Sequence, residues 1–183
     1  CSTMFGQSHW TVNENTYNAS MTVLSYVEIY GEPQTDVNLE MAAFCGNEVR
    51  GVANIEYDPI NLDYSAWMTI HGDTPNEIIT FKLYDHSTKT EYTTDYTLRY
   101  RLNDVIGDDE QPITIDFVEY HWEFVKDNET MPYSMTIMST ASIDDILLNR
   151  RNFDIAAFYG DELRGVGRQQ KDGIIYFAIW GDG

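Results

Sequence analysis

Residues 42–52 read AAFCGNEVRGV, and residues 156–166 read AAFYGDELRGV. Eight of the eleven positions are identical, and the likeness runs outward on both sides. His9-Trp10 returns as His121-Trp122, Ser20-Met21-Thr22 as Ser134-Met135-Thr136, and Ile70-His71-Gly72-Asp73 as Ile179-Trp180-Gly181-Asp182. The offset is 112 residues at the His-Trp pair (9 to 121), 114 at the central phrase (42 to 156) and 109 at the Gly-Asp pair (72 to 181). An offset of that size is a domain length and far exceeds a solenoid repeat. The chain therefore reads as an internal duplication, with residues 1–118 as the first copy and 119–183 as the second.

Around the repeated phrase the apolar pattern has a period of two, the signature of a strand with one buried face. Ile79, Phe81 and Leu83 alternate with Thr80, Lys82 and Tyr84. Leu98, Tyr100 and Leu102 alternate with Thr97, Arg99 and Arg101, and Ile113, Ile115 and Phe117 with Thr114 and Asp116. Turn clusters separate these runs: Tyr30-Gly31-Glu32-Pro33, Asp58-Pro59, Gly72-Asp73-Thr74-Pro75 and Gly107-Asp108-Asp109. Helical periodicity is scarce, with one short turn at most over residues 142–151. The expected fold is all-β: tandem antiparallel β-sandwiches of immunoglobulin-like size. The second copy stops just after its Gly-Asp pair and lacks roughly three strands that the first copy has. Either the parent chain continues past 183 and supplies them, with further repeats as candidate neighbours, or a neighbouring chain supplies the strands.

Within that frame the repeated phrase predicts a hairpin. Gly46-Asn47 and Gly160-Asp161 form its turn, because Gly, Asn and Asp all tolerate positive φ. On the returning strand Glu48 and Arg50 are two apart and share a face, as do Glu162 and Arg164. Gly51 and Gly165 mark a bulge or a close approach of backbone. The alternative to this structural reading is an Arg–carboxylate clamp for a ligand at the hairpin tip.

Composition bounds the function. The chain has 183 residues, 43% hydrophobic and 14% aromatic, enough for a substantial core. A net charge of −19 with only 11 Lys and Arg argues against phosphate-directed nucleic-acid binding and equally against an anionic membrane surface. No apolar run approaches the roughly 18 residues of a membrane span. Cys1-Ser2 matches the mature start of a bacterial lipoprotein, which would anchor the chain by lipid at the outer cell surface; a piece cut from a longer chain begins the same way. The other cysteine, Cys45, faces Tyr159 in the second copy, so neither a tight core thiol nor a Cys1–Cys45 disulfide is implied.

The chain lacks GxSxG, HExxH, P-loop, GxGxxG and CxxC signatures, and its 4 His leave little for catalysis or zinc. His9 and His121, each before a Trp, read as structural. No cofactor is expected; calcium at Gly107-Asp108-Asp109-Glu110 is the livelier metal question, although the DxDxDG spacing is missing, and Asp144-Asp145 is weaker. The most suggestive surface lies on the strand before each Gly-Asp pair. Ala66, Met68 and Ile70 make its apolar face, leaving Trp67, Thr69 and His71 on the other; Tyr176, Ala178 and Trp180 are their counterparts. Flat rings on an open sheet face suit stacking against sugars, which nominates Trp67, His71, Tyr176 and Trp180 as ligand-binding residues.

A Trp near the start, the SMT strand, AAFxGxExRGV, a strand ending in Gly-Asp, ITFKLYD and a closing PITIDF together resemble β-sandwich repeat modules in large surface or secreted proteins of Bacteroidota-like bacteria. The resemblance covers nearly all of the chain. It implies an extracellular, non-catalytic module of a multidomain protein, one that binds a glycan or surface-protein ligand or mediates adhesion, or else a structural, strand-sharing repeat with no small ligand. Such modules often carry Cys where Val49 and Leu163 stand here, so no family disulfide transfers.

Overall fold

In the computed structural model, residues 8–59, 62–108, 110–119, 122, 124–126, 129–148, 153–170 and 172–182 are described. The chain divides into two compact units, Cys1–Glu119 and Tyr120–Gly183. Among the described residues the structure is all-β apart from one 3₁₀ turn at Glu14–Thr16.

The first unit contains β1 (Ser20–Ile29), β2 (Glu32–Pro33), β3 (Leu39–Cys45), β4 (Glu48–Asp58), β5 (Asp63–His71), β6 (Ile78–Asp85), β7 (Thr90–Arg99), β8 (Val105–Ile106) and β9 (Ile113–Phe117). Their path is β2-β1-β5-β4-β3-β6-β7, with β8 and β9 also pairing β1. The sheet curls because β4 serves two neighbours in turn: Glu48 to Asn54 pair with β3, and Ile55 to Asp58 with β5. A strand that changes partners along its length makes the corner between the two layers of a sandwich. The far edges then meet at one bridge, where the amides of Thr93 and Val118 each donate to the other's carbonyl at 2.8 Å.

Alternation fills the space between the layers. Met21, Val23 and Val27, Met41 and Ala43, Ala66, Met68 and Ile70, Ile79, Phe81 and Leu83, and Ile115 and Phe117 form one buried cluster. Two sequence expectations are corrected. The run at 97–102 does not continue as a strand, since β7 ends at Arg99 and Leu102 is exposed. The closing strand β9 pairs with β1 in parallel, not antiparallel.

The second unit contains β10 (Tyr133–Ser139), β11 (Ser142–Ile143), β12 (Ile146–Leu147), β13 (Asp154–Tyr159), β14 (Glu162–Gln169) and β15 (Ile175–Gly181). Its main sheet runs β10-β15-β14-β13. The pairing of β10 on β15 sets Met135 against Ile179 and Met138 against Tyr176; in the first unit the equivalent pairs are Met21 with Ile70 and Leu24 with Trp67. Residues 142–147, expected to allow at most a helical turn, instead form the β11–β12 hairpin. Asp144 and Asp145 both take positive φ there, the backbone of a type I′ turn, which short Asp side chains tolerate.

The repeated His-Trp pair has a mechanical role at the start of the first unit. The amides of His9 and Trp10 donate to the Glu40 carboxylate at 3.1 and 2.9 Å, and His86 Nε2 lies 3.0 Å from it. Trp10 then packs edge-on to Phe44, while the His9 ring stacks on Tyr84. Trp122 reproduces part of this, its amide on Asp154 and its ring edge-on to Phe158. His121 lies outside the described residues. Burial works to raise the Glu40 pKa, but the two amides and the His86 ring outweigh it and hold the carboxyl below its ordinary value.

A carboxyl with a lowered folded-state pKa stabilises the fold above its unfolded pKa, near 4.5, and loses that contribution as pH falls through the folded value. Glu40→Gln should therefore be less stable than wild type at pH 7, with the gap closing below pH 4.5. Urea unfolding at a series of pH values measures this; a gap independent of pH would refute it. Gly51→Ala should cost about 2 kcal/mol or more by overpacking, because its Cβ would sit 2.5 Å from the Thr69 carbonyl oxygen.

Candidate functional site

The repeated hairpin builds two of the candidate positions from one backbone irregularity. In β3–β4, Ala43 pairs with Gly51 and Phe44 with Val49, so Arg50 is the extra residue of a β-bulge. Ala157–Gly165 and Phe158–Leu163 repeat it, with Arg164 as the extra residue. The two-residue turn has positive φ at Gly46 and Gly160 and not at Asn47 and Asp161, so it is of the II′ kind, the type with Gly at its first position.

The bulge turns the arginine inward instead of leaving it in plain alternation with Glu48. Arg50 is 7% exposed, and its Nε meets Glu48 at 3.1 Å, its Nη1 the His71 carbonyl at 3.3 Å and Glu77 at 3.4 Å. Tyr17 stacks 4.6 Å from the guanidinium and donates its hydroxyl to Glu48. Burial and that hydrogen bond push the Tyr17 phenol up to about 12. Every charged group of the cluster faces another member of it. Cys45, a free thiol beside this cluster, is pushed up by burial and by Glu77.

In the second unit Arg164 is equally buried, with Glu162 at 2.9 Å and Asp182 at 3.6 Å. The ring beside it is Tyr159, at 5.5 Å, which occupies the place that Cys45 has in the first unit. Arg164 Nε has no hydrogen-bond partner among the described residues.

The aromatic positions behave differently from one another. On β5, Ala66, Met68 and Ile70 are fully buried and Trp67 is 61% exposed. Trp67 borders an open groove of about 480 Å³, lined also by Val52, Asn54, Glu56, Tyr57, Asp58 and Ser65. The β4–β5 register explains the grouping: Glu56 lies beside Ser65 and Tyr57 beside Tyr64 on the same short hairpin. His71 is half-buried and stacks loosely on Tyr17, 6.4 Å away, and does not line the groove.

On β15, Tyr176 is exposed, while Trp180 is half-buried with the Lys126 ammonium 3.8 Å from its ring centroid. Trp180 lines a smaller apolar hollow of about 270 Å³ with Tyr133, Met135 and Ile179.

Sequence reasoning missed the polar rim of the Trp67 groove. The signal was available in β4, where Asn54, Glu56 and Asp58 share one parity. It also missed Tyr17 and Glu77, which reach Arg50 from 33 and 27 residues away and leave no local trace. In the acidic loop, Asp108 Oδ1 accepts from the amides of Glu110 and Gln111 and so caps its own turn; Asp109 lies outside the described residues. Among the described residues no group of three His, Cys, Asp or Glu converges as a metal site. No helix among them is long and apolar enough to cross a membrane. Compared with family models, curated proteins and solved structures, the chain finds no match.

Arg50→Met should destabilise the first unit by roughly 2 kcal/mol, the scale of buried hydrogen bonds to a charged group. Denaturant unfolding checks this, and a loss below about 0.5 kcal/mol, the range of ordinary surface substitutions, would contradict the clamp.

Proposed function

We propose that the chain is a non-catalytic, extracellular carbohydrate-binding module of a bacterial surface or secreted protein, and that its binding surface is the Trp67 groove. The observation that carries this reading is the exposed Trp67 indole, 61% accessible on a rigid central strand beside hydrogen-bonding groups. A sugar presents an apolar face of C–H groups and a rim of hydroxyls. The indole suits the first, and Asn54, Glu56, Asp58 and Ser65 suit the second.

Charge narrows the class. The rim carries Glu56 and Asp58 and no Lys, Arg or His, on a chain of net charge −19. Neutral glycans fit such a rim, and uronate-bearing or sulfated ones are repelled. The resemblance to Bacteroidota-like surface modules supports the extracellular setting. His71, Tyr176 and Trp180 hold lesser places in this reading, since His71 stands outside the groove and Trp180 has a lysine over its ring. Calcium has no part in it.

The experiment is isothermal titration of the chain with a panel of soluble neutral and acidic glycans, beside Trp67→Ala and Trp180→Ala. A saturable signal with a neutral glycan, weakened about tenfold or more by Trp67→Ala and retained in Trp180→Ala, is expected; tenfold corresponds to about 1.4 kcal/mol. Silence across the panel, or equal binding by Trp67→Ala, would remove the groove from consideration.

A further inference from the structure

Three of the chain's 4 tryptophans set their rings against a partner from the chain itself. Trp10 packs edge-on to Phe44, Trp122 packs edge-on to Phe158, and Trp180 lies under the Lys126 ammonium. Trp67 differs. Among the described residues neither an aromatic ring nor a cation meets its indole, although the residue sits on a central strand.

Elsewhere the chain uses one combination repeatedly: an aromatic ring, a cation against it, and a carboxylate on the cation. Arg50 lies 4.6 Å from the Tyr17 ring and pairs with Glu48. Lys82 lies 5.7 Å from the Phe44 ring and pairs with Glu91, and Arg164 lies 5.5 Å from the Tyr159 ring and pairs with Glu162. In the Trp67 groove the chain supplies the ring and the carboxylates, and among the described residues no Lys or Arg lines it.

Register brings those carboxylates to one face. Glu56 pairs with Ser65 and Asp58 with Asp63 across β4–β5, and cross-strand partners share a face, here the one that carries Trp67. Asp58 and Asp63 stand directly opposite each other, an arrangement of like charges that weakens a strand pair. Glu56 is exposed at the same rim. A cation brought to this face relieves the repulsion and completes the combination seen at Tyr17, Phe44 and Tyr159.

We propose that the groove selects glycans whose sugars carry a free amine, an inference that rests on the carbohydrate-binding reading above and names the class of sugar. The pyranose lies with its C–H face on Trp67, and its ammonium is held between the indole and the carboxylates of Glu56 and Asp58. Neutral sugars use the indole and the hydroxyl partners alone. An amine adds attraction to the ring and to the carboxylates, and N-acetylation removes both by removing the charge. A lysine side chain would supply the same charge, but its narrow stem leaves the indole largely uncovered, whereas a pyranose matches the indole in breadth.

The test titrates the full 183-residue chain with hexamers of glucosamine, N-acetylglucosamine and glucose of the same linkage, and with hexalysine. Mildly acidic solution keeps the amines protonated. About 0.15 M salt, with a screening length of about 8 Å, leaves the groove carboxylates to act and mutes the net charge. The glucosamine hexamer should bind about tenfold more tightly than either neutral hexamer. Glu56→Gln, whose amide still meets sugar hydroxyls, should cut that preference to about threefold or less. Equal binding of the three hexamers, a preference untouched by Glu56→Gln, or hexalysine binding as tightly as the glucosamine hexamer would each overturn the inference. Neutral hexamers that bind at Trp67 without any preference for the amine leave the carbohydrate reading standing while this inference falls; silence from every sugar removes both.

Discussion

One extra residue in a strand organises this protein. Where β4 carries Arg50 against a continuous β3, the ladder bulges and a long cationic side chain is driven under the sheet instead of out to solvent. Its guanidinium then joins the hairpin tip, the end of β5 and the approach to β6 through Glu48, the His71 carbonyl and Glu77. The next residue must be glycine, because β5 crosses there with the Thr69 carbonyl where a Cβ would stand. Gly165 meets Ala178 in the same way. Bulge, buried charge and backbone crossing are thus one device, written as Glu-x-Arg-Gly in the sequence.

That device explains why some of the structure was legible in advance. Strand faces followed from local alternation: Ile79, Phe81 and Leu83, or Ala66, Met68 and Ile70, are buried as a period of two requires. The hairpin followed from Gly46 and Gly160. At Arg50 and Arg164 the bulge that Gly51 and Gly165 mark adds one residue and resets the alternation beyond it; Arg50 still meets Glu48, and Arg164 Glu162, as their spacing of two suggests. Long-range partners were out of reach. Nothing near Glu40 in sequence announces that the amides of His9 and Trp10 will converge on it, and nothing near Tyr100 that its hydroxyl will reach the Gly72 carbonyl at 2.6 Å. The exposed Trp67 was readable from β5 alone, but its polar rim needed the β4 register.

The two units also show how one pattern yields different surfaces. Identical registers in β1–β5 and β10–β15 set Leu24 and Met138 beside aromatic neighbours. Leu24 is buried in the first unit, and Met138 is exposed in the second. Local sequence therefore determines the ladder, and burial depends on what lies across its edge and face.

The parallel pairing of β1 with β9 bears on load. Five successive pairs, from Ser25 with Ile113 to Ile29 with Phe117, join the first long strand of the unit to its last. Tension applied to the entering end of β1 and the leaving end of β9 pulls these strands in opposite directions along their own axes. The bonds between them are then loaded in shear and share the force, whereas an antiparallel pair pulled from one end would open one bond at a time. Tension between those two ends would thus meet a ladder of five residue pairs along its length instead of at one end.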